Sequence, residues 1–333
     1  MSRFAIDARA AVRPELGGVE RWARELAARL PALGGYEVVR PPAALVHRAG
    51  HVWEQGGLPL RARRAELLLN PANLAPVAFP RNGVVIHDAA ALRQPQWYSA
   101  PYAAWQRRLL PVIARRARLV ITVSEFSRRE LQELLRVDAA VVPGGVDPRF
   151  RPDADPEPAR TALGLTRPYV LTVASRTARK NLDALETTAR RLATHGIELV
   201  AAGGERPQFR EHGTAGSGGG VRALGHVPDL HLPSLYAGAR AFVLPSFHEG
   251  FGLTCLEAMP CGVPVVAARA GALPETCGDA ARYADPFDHE DIAAQVEAAL
   301  DDDALRAAGP ARARAFTWER TVRELDARLR PRS

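Results

Sequence analysis

Lysine is almost missing from this chain of 333 residues: one of its 44 basic residues is Lys180, and the others are arginine. Cysteine is scarce as well. Cys255, Cys261 and Cys277 make an odd number and show no metal-ligand spacing. They read as reduced thiols, which excludes a disulfide scaffold and a zinc ribbon. No run approaches the ~18 apolar residues of a membrane-spanning helix. No charged-then-apolar leader opens the chain, so a cytoplasmic location is expected. The six-residue glycine fingerprint of dinucleotide-binding folds is absent, which removes the argument for NAD. No nucleophile elbow points to a Ser-His-Asp hydrolase. No RNP, zinc-finger or helix-turn-helix signature points to nucleic acid.

What remains is the composition of a packed globule, 47% hydrophobic and 24% charged, in a length that suits two domains. The charge is unevenly placed. Residues 1–150 hold 22 Arg against 13 Asp and Glu, a net of +9, whereas residues 151–333 come to −2. Arginines cluster at Arg61, Arg63 and Arg64, and again at Arg107, Arg108, Arg115, Arg116 and Arg118. Such a surface attracts phosphates or anionic lipid headgroups. An anionic membrane surface is therefore a candidate partner, with peripheral attachment at the inner face.

Short apolar runs alternate with helix-period segments along the whole chain. Phe4 to Asp7 reads as a first strand, followed by Gly17-Gly18 and a helical stretch from Val19 to Leu30. Strands are expected at 84–86, 119–123 and 140–142, with Ser124 starting a helix. Three prolines between Arg151 and Pro158 suit an extended linker. The second half repeats the rhythm, with strands at 169–173, 197–202, 241–244 and 263–267. A helix is expected from Leu182 to Thr194, capped by Asn181. Gly213 to Gly220 reads as a mobile loop. Strand–helix alternation in both halves predicts two doubly wound parallel-sheet domains, 1–150 and 169–315, joined by a linker at 151–168. The tail, 316–333, has helical period and should pack back on the first domain.

Lys180 follows the expected strand 169–173, and in open α/β sheets ligands bind beyond such strand ends. A lysine is a compact point charge suited to phosphate oxygens. The densest segment runs from His248 to Met259. Its glycines, Gly250 and Gly252, give a tight turn entering a helix, whose N–H groups and dipole suit a diphosphate. Glu249 before the helix and Glu257 within it would repel phosphate, but a carboxylate accepts two hydrogen bonds from a diol. One acid for a sugar and one for a ribose, with a diphosphate between, describes a nucleotide-diphospho-sugar. The acid groups Asp153/Asp155 and Asp301 to Asp303 lie away from strand ends and read as solvated charge, so no metal site is expected.

The segment 248–266, with Gly271-Ala272-Leu273-Pro274-Glu275, resembles the retaining glycosyltransferases of family 4, which have the two-domain GT-B fold. The resemblance extends through Ile6-Asp7-Ala8-Arg9, Gly17-Gly18-Val19-Glu20-Arg21, Ile86-His87-Asp88, Val123 to Ser127, Val142 to Asp147, Arg179-Lys180-Asn181-Leu182, Gly225 to Pro228 and Phe316 to Glu319. It implies two Rossmann-like domains facing across a cleft. It also implies that Glu249 binds hydroxyls of the transferred sugar and that Glu257 binds the ribose diol. Lys180 and a nearby arginine would hold the diphosphate. Relatives commonly place that arginine five residues before the lysine, where Ser175 stands here; Arg176 and Arg179 are both candidates. Gly17 and Gly18 would let the first domain approach the donor, and His87 would lie beside the sugar. Gly250, Phe251, Gly252 and Leu253 would offer backbone N–H groups, and His226 with Val227 would face the base.

The resemblance thus implies a metal-independent hexosyltransferase, with mannose or glucose the favoured sugars. It would need no cofactor and would use a UDP- or GDP-sugar as substrate. Catalytic roles fall to His87, Glu249, Lys180 and Arg176. The resemblance implies that domain 1–150 binds the acceptor and domain 169–315 the nucleotide sugar; the acceptor would be a glycan or lipid-linked saccharide in surface glycan synthesis, such as lipopolysaccharide. No residue stands out as a covalent nucleophile, so front-face substitution is the expected retaining route. The competing readings are a catalytically inactive sugar-nucleotide-binding regulator and a nucleotide-sugar epimerase.

Overall fold

The computed structural model describes residues 3–13, 17–46, 50–204 and 220–330. The expected glycine loop lies outside the described residues up to its last member, Gly220. The chain forms two compact units. One comprises Met1–Arg93, Pro101–Gly145 and Trp318–Ser333, and the other Gln94–Ala100 and Val146–Thr317.

The first unit is built on a parallel sheet of β1 (Phe4–Asp7), β2 (Tyr36–Val39), β3 (Leu67–Asn70), β4 (Asn82–Val85), β5 (Leu119–Thr122) and β6 (Ala140–Val141). Its spatial order is β2-β1-β3-β4-β5-β6. β1, β3 and β4 are buried along their whole length. This is the expected state of parallel strands covered by helices on both faces. The second unit repeats the plan with β7 (Tyr169–Val173), β8 (Glu198–Ala202), β9 (Val221–Gly225), β10 (Ala241–Leu244), β11 (Val265–Ala268) and β12 (Arg282–Ala284). Its order is β12-β11-β10-β7-β8-β9. Tyr169, Val170, Leu171, Phe242 and Leu244 fill the centre of its core. The doubly wound α/β architecture is as the strand–helix alternation requires.

Three local expectations need correction. Residues 151–168 are not a linker. Glu157–Leu163 is a helix of the second unit, and Ala159 and Leu165 are buried in that unit's core. Proline is tolerated in a first helical turn, so the prolines mark a helix entry rather than an extended spacer. The boundary between units falls at Gly145 rather than 150, and Gln94–Ala100 groups with the second unit. Asn181 does not cap a helix through its side chain. It has φ +54°, the chain continues as the short 3-10 turn Leu182–Ala184, and the helix proper is Leu185–Ala193.

The C-terminal helix Trp318–Leu329 belongs to the first unit. The fully buried Trp318 meets Trp22 edge-on at 6.2 Å. Thr321 Oγ1 donates to Pro143 O at 2.8 Å, and the Tyr36 hydroxyl donates to Asp326 at 2.6 Å.

Candidate active site

In the second unit the chain leaves β7 in one direction, through β8 and β9, and returns on the other side of β7 through β10, β11 and β12. The β7/β10 junction is therefore the topological switch point, where the loops beyond the strand ends part and leave a crevice. Lys180 sits in the 3-10 turn Ala178–Lys180 after β7, and Glu249 in the loop after β10. Lys180 Nζ donates to Glu249 Oε1 at 2.5 Å. Arg179 Nη1 lies 3.6 Å from Glu249 Oε2 and donates to His248 O at 3.0 Å. Phe247 N donates to Arg179 O at 3.0 Å, so the two loops are also tied through their backbones. The side chains of Lys180, Arg179 and Glu249 are only 12%, 13% and 9% exposed.

Burial works to raise the Glu249 pKa, but the charges of Lys180 and Arg179 and the Lys180 hydrogen bond outweigh it, holding the carboxyl down at about 2. Glu249 is thus an ionised acceptor across the neutral range. Burial pulls the Lys180 ammonium down from the ordinary lysine range. The like charge of Arg179 adds to this, and Glu249 opposes it. Two cations face one anion here, in a site with little access to water.

The backbone of Glu249 is positioned from below by the loop after β11. Ala272 N donates to Glu249 O at 2.9 Å. Gly271 has φ +59°, and a Cβ there would stand 2.6 Å from Glu249 O and 2.7 Å from Glu249 N. Only glycine satisfies both the backbone angle and the contact. Beyond Glu249, Gly252 (φ +99°) turns the chain into the helix Leu253–Ala258. The Phe251 ring packs edge-on against Phe316 at 5.8 Å and anchors the Gly250–Leu253 turn. Glu257 is buried on that helix and accepts from the Tyr236 hydroxyl at 3.1 Å.

Ser175 and Arg176 lie on the β8 side of the same crevice. Gly203 (φ +146°) presses on Ala174, where a Cβ would fall 1.9 Å from the carbonyl oxygen, and Arg176 N donates to Gly204 O at 3.3 Å. Of the two arginine candidates, it is Arg179 that the structure joins to Glu249. His226 is exposed at the end of β9, next to Gly204. Val227 is buried in the core, so its backbone rather than its side chain is what it can present.

Gly17, Gly18 and His87 belong to the first unit. Gly17 opens the helix Gly18–Arg29, and its N–H donates to Glu20 at 3.1 Å. A Cβ on Gly18 would meet none of the described atoms within 4 Å, so packing does not demand glycine there. His87 follows β4 and is held on three sides: its N–H donates to Asn73 Oδ1 at 2.8 Å, its carbonyl accepts from Ser127 Oγ at 3.0 Å, and Trp22 meets its ring edge-on at 5.5 Å. Burial lowers its pKa. Nε2 lies 2.8 Å from Pro71 O. A carbonyl can only accept, so Nε2 carries the proton and Nδ1 is the acceptor.

Sequence reasoning missed two features. One is a second buried charge cluster at the β1/β3 switch point of the first unit. Arg9 Nε donates to Glu54 Oε1 at 2.7 Å, and Arg9 N donates to Asp7 Oδ1 at 3.1 Å. Burial, and then the charge of Glu54, raise Asp7 to about 6. Asp7 and Arg9 were visible as a motif, but nothing in the sequence marked Glu54. The other is the role of Asn181, whose amide donates to Pro245 O at 3.1 Å and to Pro286 O at 2.7 Å. This one side chain joins the lysine loop, the end of β10 and the turn after β12.

Two such units, with a charged crevice at the switch point of the second, fit the two-Rossmann-domain glycosyltransferases. Residues 153–316 match the family "Glycosyl transferases group 1", and residues 80–150 match "Glycosyltransferase Family 4". The chain is 34% identical to the O-antigen chain mannosyltransferase B of Escherichia coli over 83% of its own length and 75% of that protein. It is 30% identical to a GDP-mannose-dependent alpha-(1-6)-phosphatidylinositol monomannoside mannosyltransferase of Mycolicibacterium smegmatis, over 80% and 73% of the two chains. Among solved structures, Anabaena Alr3699/HepE in complex with UDP-glucose superposes with TM-score 0.73 at 19% identity, covering 98% of each chain. The chain belongs to glycosyltransferase family 4. It is a hexosyltransferase of glycan synthesis, taking a nucleotide-sugar donor and a glycan acceptor. Nothing favours the regulator or epimerase readings.

Proposed function

We propose that this enzyme is a retaining mannosyltransferase that moves mannose from GDP-mannose to a saccharide acceptor of a surface glycan. The observation that carries this reading is the Lys180–Glu249–Arg179 cluster: a carboxylate kept ionised beside two cations in a crevice with little access to water. Glu249 accepts hydrogen bonds from hydroxyls of the transferred sugar. Lys180 and Arg179 face the diphosphate and stabilise the negative charge that grows on it as the glycosidic bond breaks. Arg176 and Ser175 bound the same oxygens from the β8 side, and the Gly250–Leu253 turn supplies backbone N–H groups. Glu257, oriented by Tyr236, takes the ribose diol, and the exposed His226 edge with the Val227 backbone borders the base. His87, with Nδ1 as acceptor, receives a hydrogen bond from the sugar or the acceptor hydroxyl. No metal or cofactor enters this scheme. The mannose assignment draws on the two mannosyltransferases among the relatives. The test is steady-state turnover of GDP-mannose, GDP-glucose, UDP-glucose and UDP-galactose with an α-mannoside acceptor. GDP-mannose should exceed the others by at least tenfold in kcat/KM; a UDP-sugar in first place overturns the assignment.

We further infer peripheral attachment to an anionic membrane from the cytoplasmic side. Val52, Leu60 and Trp105 of the first unit are exposed, His51 packs against Trp105 at 5.0 Å, and the exposed Arg61, Arg63, Arg64, Arg107 and Arg108 lie on the same segments. Apolar side chains among arginines suit an anionic bilayer surface. No helix among the described residues is long and apolar enough to cross a membrane. Co-sedimentation with phosphatidylglycerol vesicles should be strong at low salt and weak at 0.5 M; equal recovery at both, or none at either, rejects the attachment.

A further inference from the structure

Three aromatic rings of the second unit stand in a row beside Glu249. Trp97 stacks on Phe247 at 6.3 Å with 12° between ring planes, and Phe247 stacks on Phe287 at 5.0 Å and 28°. His248 meets Trp97 edge-on at 6.2 Å. The row becomes more exposed outward: Trp97 and Phe247 are half-buried, but Phe287 is 79% exposed. Phe287 therefore adds little to the core of its own unit. A fixed turn nonetheless holds it out. Phe287 N donates to Asp285 Oδ1 at 2.9 Å, Asn181 holds the preceding carbonyl of Pro286, and Asp288 caps the helix His289–Ala299. The residue that fixes this turn directly follows Lys180, so the outermost ring and the charged cluster share one frame.

We propose that Trp97, Phe247 and Phe287 form an acceptor subsite, which holds a pyranose of an oligosaccharide acceptor one or more units back from the reacting hydroxyl. The inference rests on the function proposed above and deepens it: the resemblance assigns the acceptor to the first domain, and this subsite gives a remote pyranose of its chain a place on the second unit. A pyranose presents a face of C–H bonds whose hydrogens are weakly positive, and an aromatic ring presents a negative face of matching size. Stacking on successive rings tolerates variation in linkage, which suits a chain-extending acceptor. Position favours a saccharide over other occupants, because Phe247 lies two residues before the carboxylate assigned to the donor sugar. The exposed Asp285, Asp288 and Glu290 beside Phe287 disfavour an anionic lipid surface.

The test uses the full chain and two probes, an α-linked mannotetraose and methyl α-mannoside. Calorimetric titration and steady-state kinetics are run on wild type, Phe287→Ala and Phe287→Trp. Phe287→Ala should raise both Kd and acceptor KM for the tetraose about five- to tenfold, the size of one aromatic contact. Its kcat, and its KM for the monosaccharide, should move less than twofold, and Phe287→Trp should restore tetraose binding. The proposal is overturned if wild type gives no heat with millimolar tetraose, if Phe287→Ala leaves the tetraose Kd unchanged, or if both acceptors suffer equally, which would mark a packing role. It is also overturned if Phe287→Ala converts a dimer to a monomer in sedimentation. Tetraose binding without GDP-mannose turnover would sink the donor assignment and leave the subsite standing.

Discussion

Each unit buries a small charge cluster at the switch point of its sheet, and the two are opposite in sign. In the first unit, Asp7 and Glu54 share Arg9. In the second, Lys180 and Arg179 share Glu249. Two acids face one guanidinium in the first, and two cations face one carboxylate in the second. The bulk charge runs the other way: +9 over residues 1–150 and −2 over the rest. The surface arginines of the first half therefore say nothing about its buried centre, and the mild acidity of the second half conceals a basic one. Charges inside the crevice act on a ligand with little screening. The outer charge governs approach and attachment.

Removing one cation from each cluster has different consequences. Arg9→Met leaves two buried acids facing each other, and a broken buried pair costs about 3–5 kcal/mol. Urea unfolding at pH 7 should show a loss of that order, reduced at pH 5 as Asp7 takes up a proton. An unchanged midpoint would mean that Arg9 does not hold the cluster. Lys180→Met leaves Glu249 with Arg179 still at 3.6 Å, so the stability loss should be smaller. The loss should appear in turnover instead, a fall of about 10²–10³ in kcat, the cost of removing one group that stabilises leaving-group charge. If Lys180→Met unfolds like Arg9→Met but retains kcat, the ammonium is structural and the assignment fails.

The fold was legible because parallel strands buried on both faces write continuous apolar runs, as β1, β10 and β11 do; β2, β9 and β12 are partly exposed, carry polar residues and were not expected from the sequence. The pairing of Lys180 with Glu249 was legible because a lone lysine and a glutamate at strand ends are chemically out of place in an arginine-written chain. The linker was misread because proline at a helix entry and proline in a spacer look alike in sequence. Asn181 was misread as a cap because its left-handed backbone angle, and the two carbonyls it reaches, arise only when three loops converge. Glu54 and Phe287 carried no signal, since one is defined by a partner 45 residues away and the other by a ring stack.

A substitution that touches no charge sharpens the comparison from another side. Gly271→Ala would place a methyl group 2.6 Å from Glu249 O, a backbone atom that cannot swing aside, at a φ of +59°. The strain is of order 1–3 kcal/mol and should be relieved by displacing the Glu249 loop. We expect kcat/KM for the donor to fall about tenfold or more with only a modest change in melting temperature. A large drop in melting temperature with kcat/KM intact would show that the loop after β11 supports the fold rather than the carboxylate.

The smallest expected effect is the dependence of stability on pH, and here the two clusters should pull in opposite directions. The folded-state pKa of Asp7 is raised from 3.8 to about 6, so between these values the native chain binds more protons than the unfolded one. Stability from this group is therefore present below pH 3.8 and falls as pH rises through 6. Glu249 is lowered from 4.5 to about 2, so its contribution is present above pH 4.5 and is lost as pH falls toward 2. A tenfold change in proton affinity corresponds to about 1.4 kcal/mol, and the sharing of protons within each cluster leaves about 1–2 kcal/mol to be seen. Comparing wild type, Asp7→Asn and Glu249→Gln by urea unfolding from pH 3 to pH 8 separates them. Asp7→Asn should remove the loss of stability between pH 4 and 7, and Glu249→Gln should remove part of the loss below pH 4.5. If Asp7→Asn instead flattens the acid limb, the Asp7 pKa is not raised in the native state, and the contrast in pH dependence between the two units is lost.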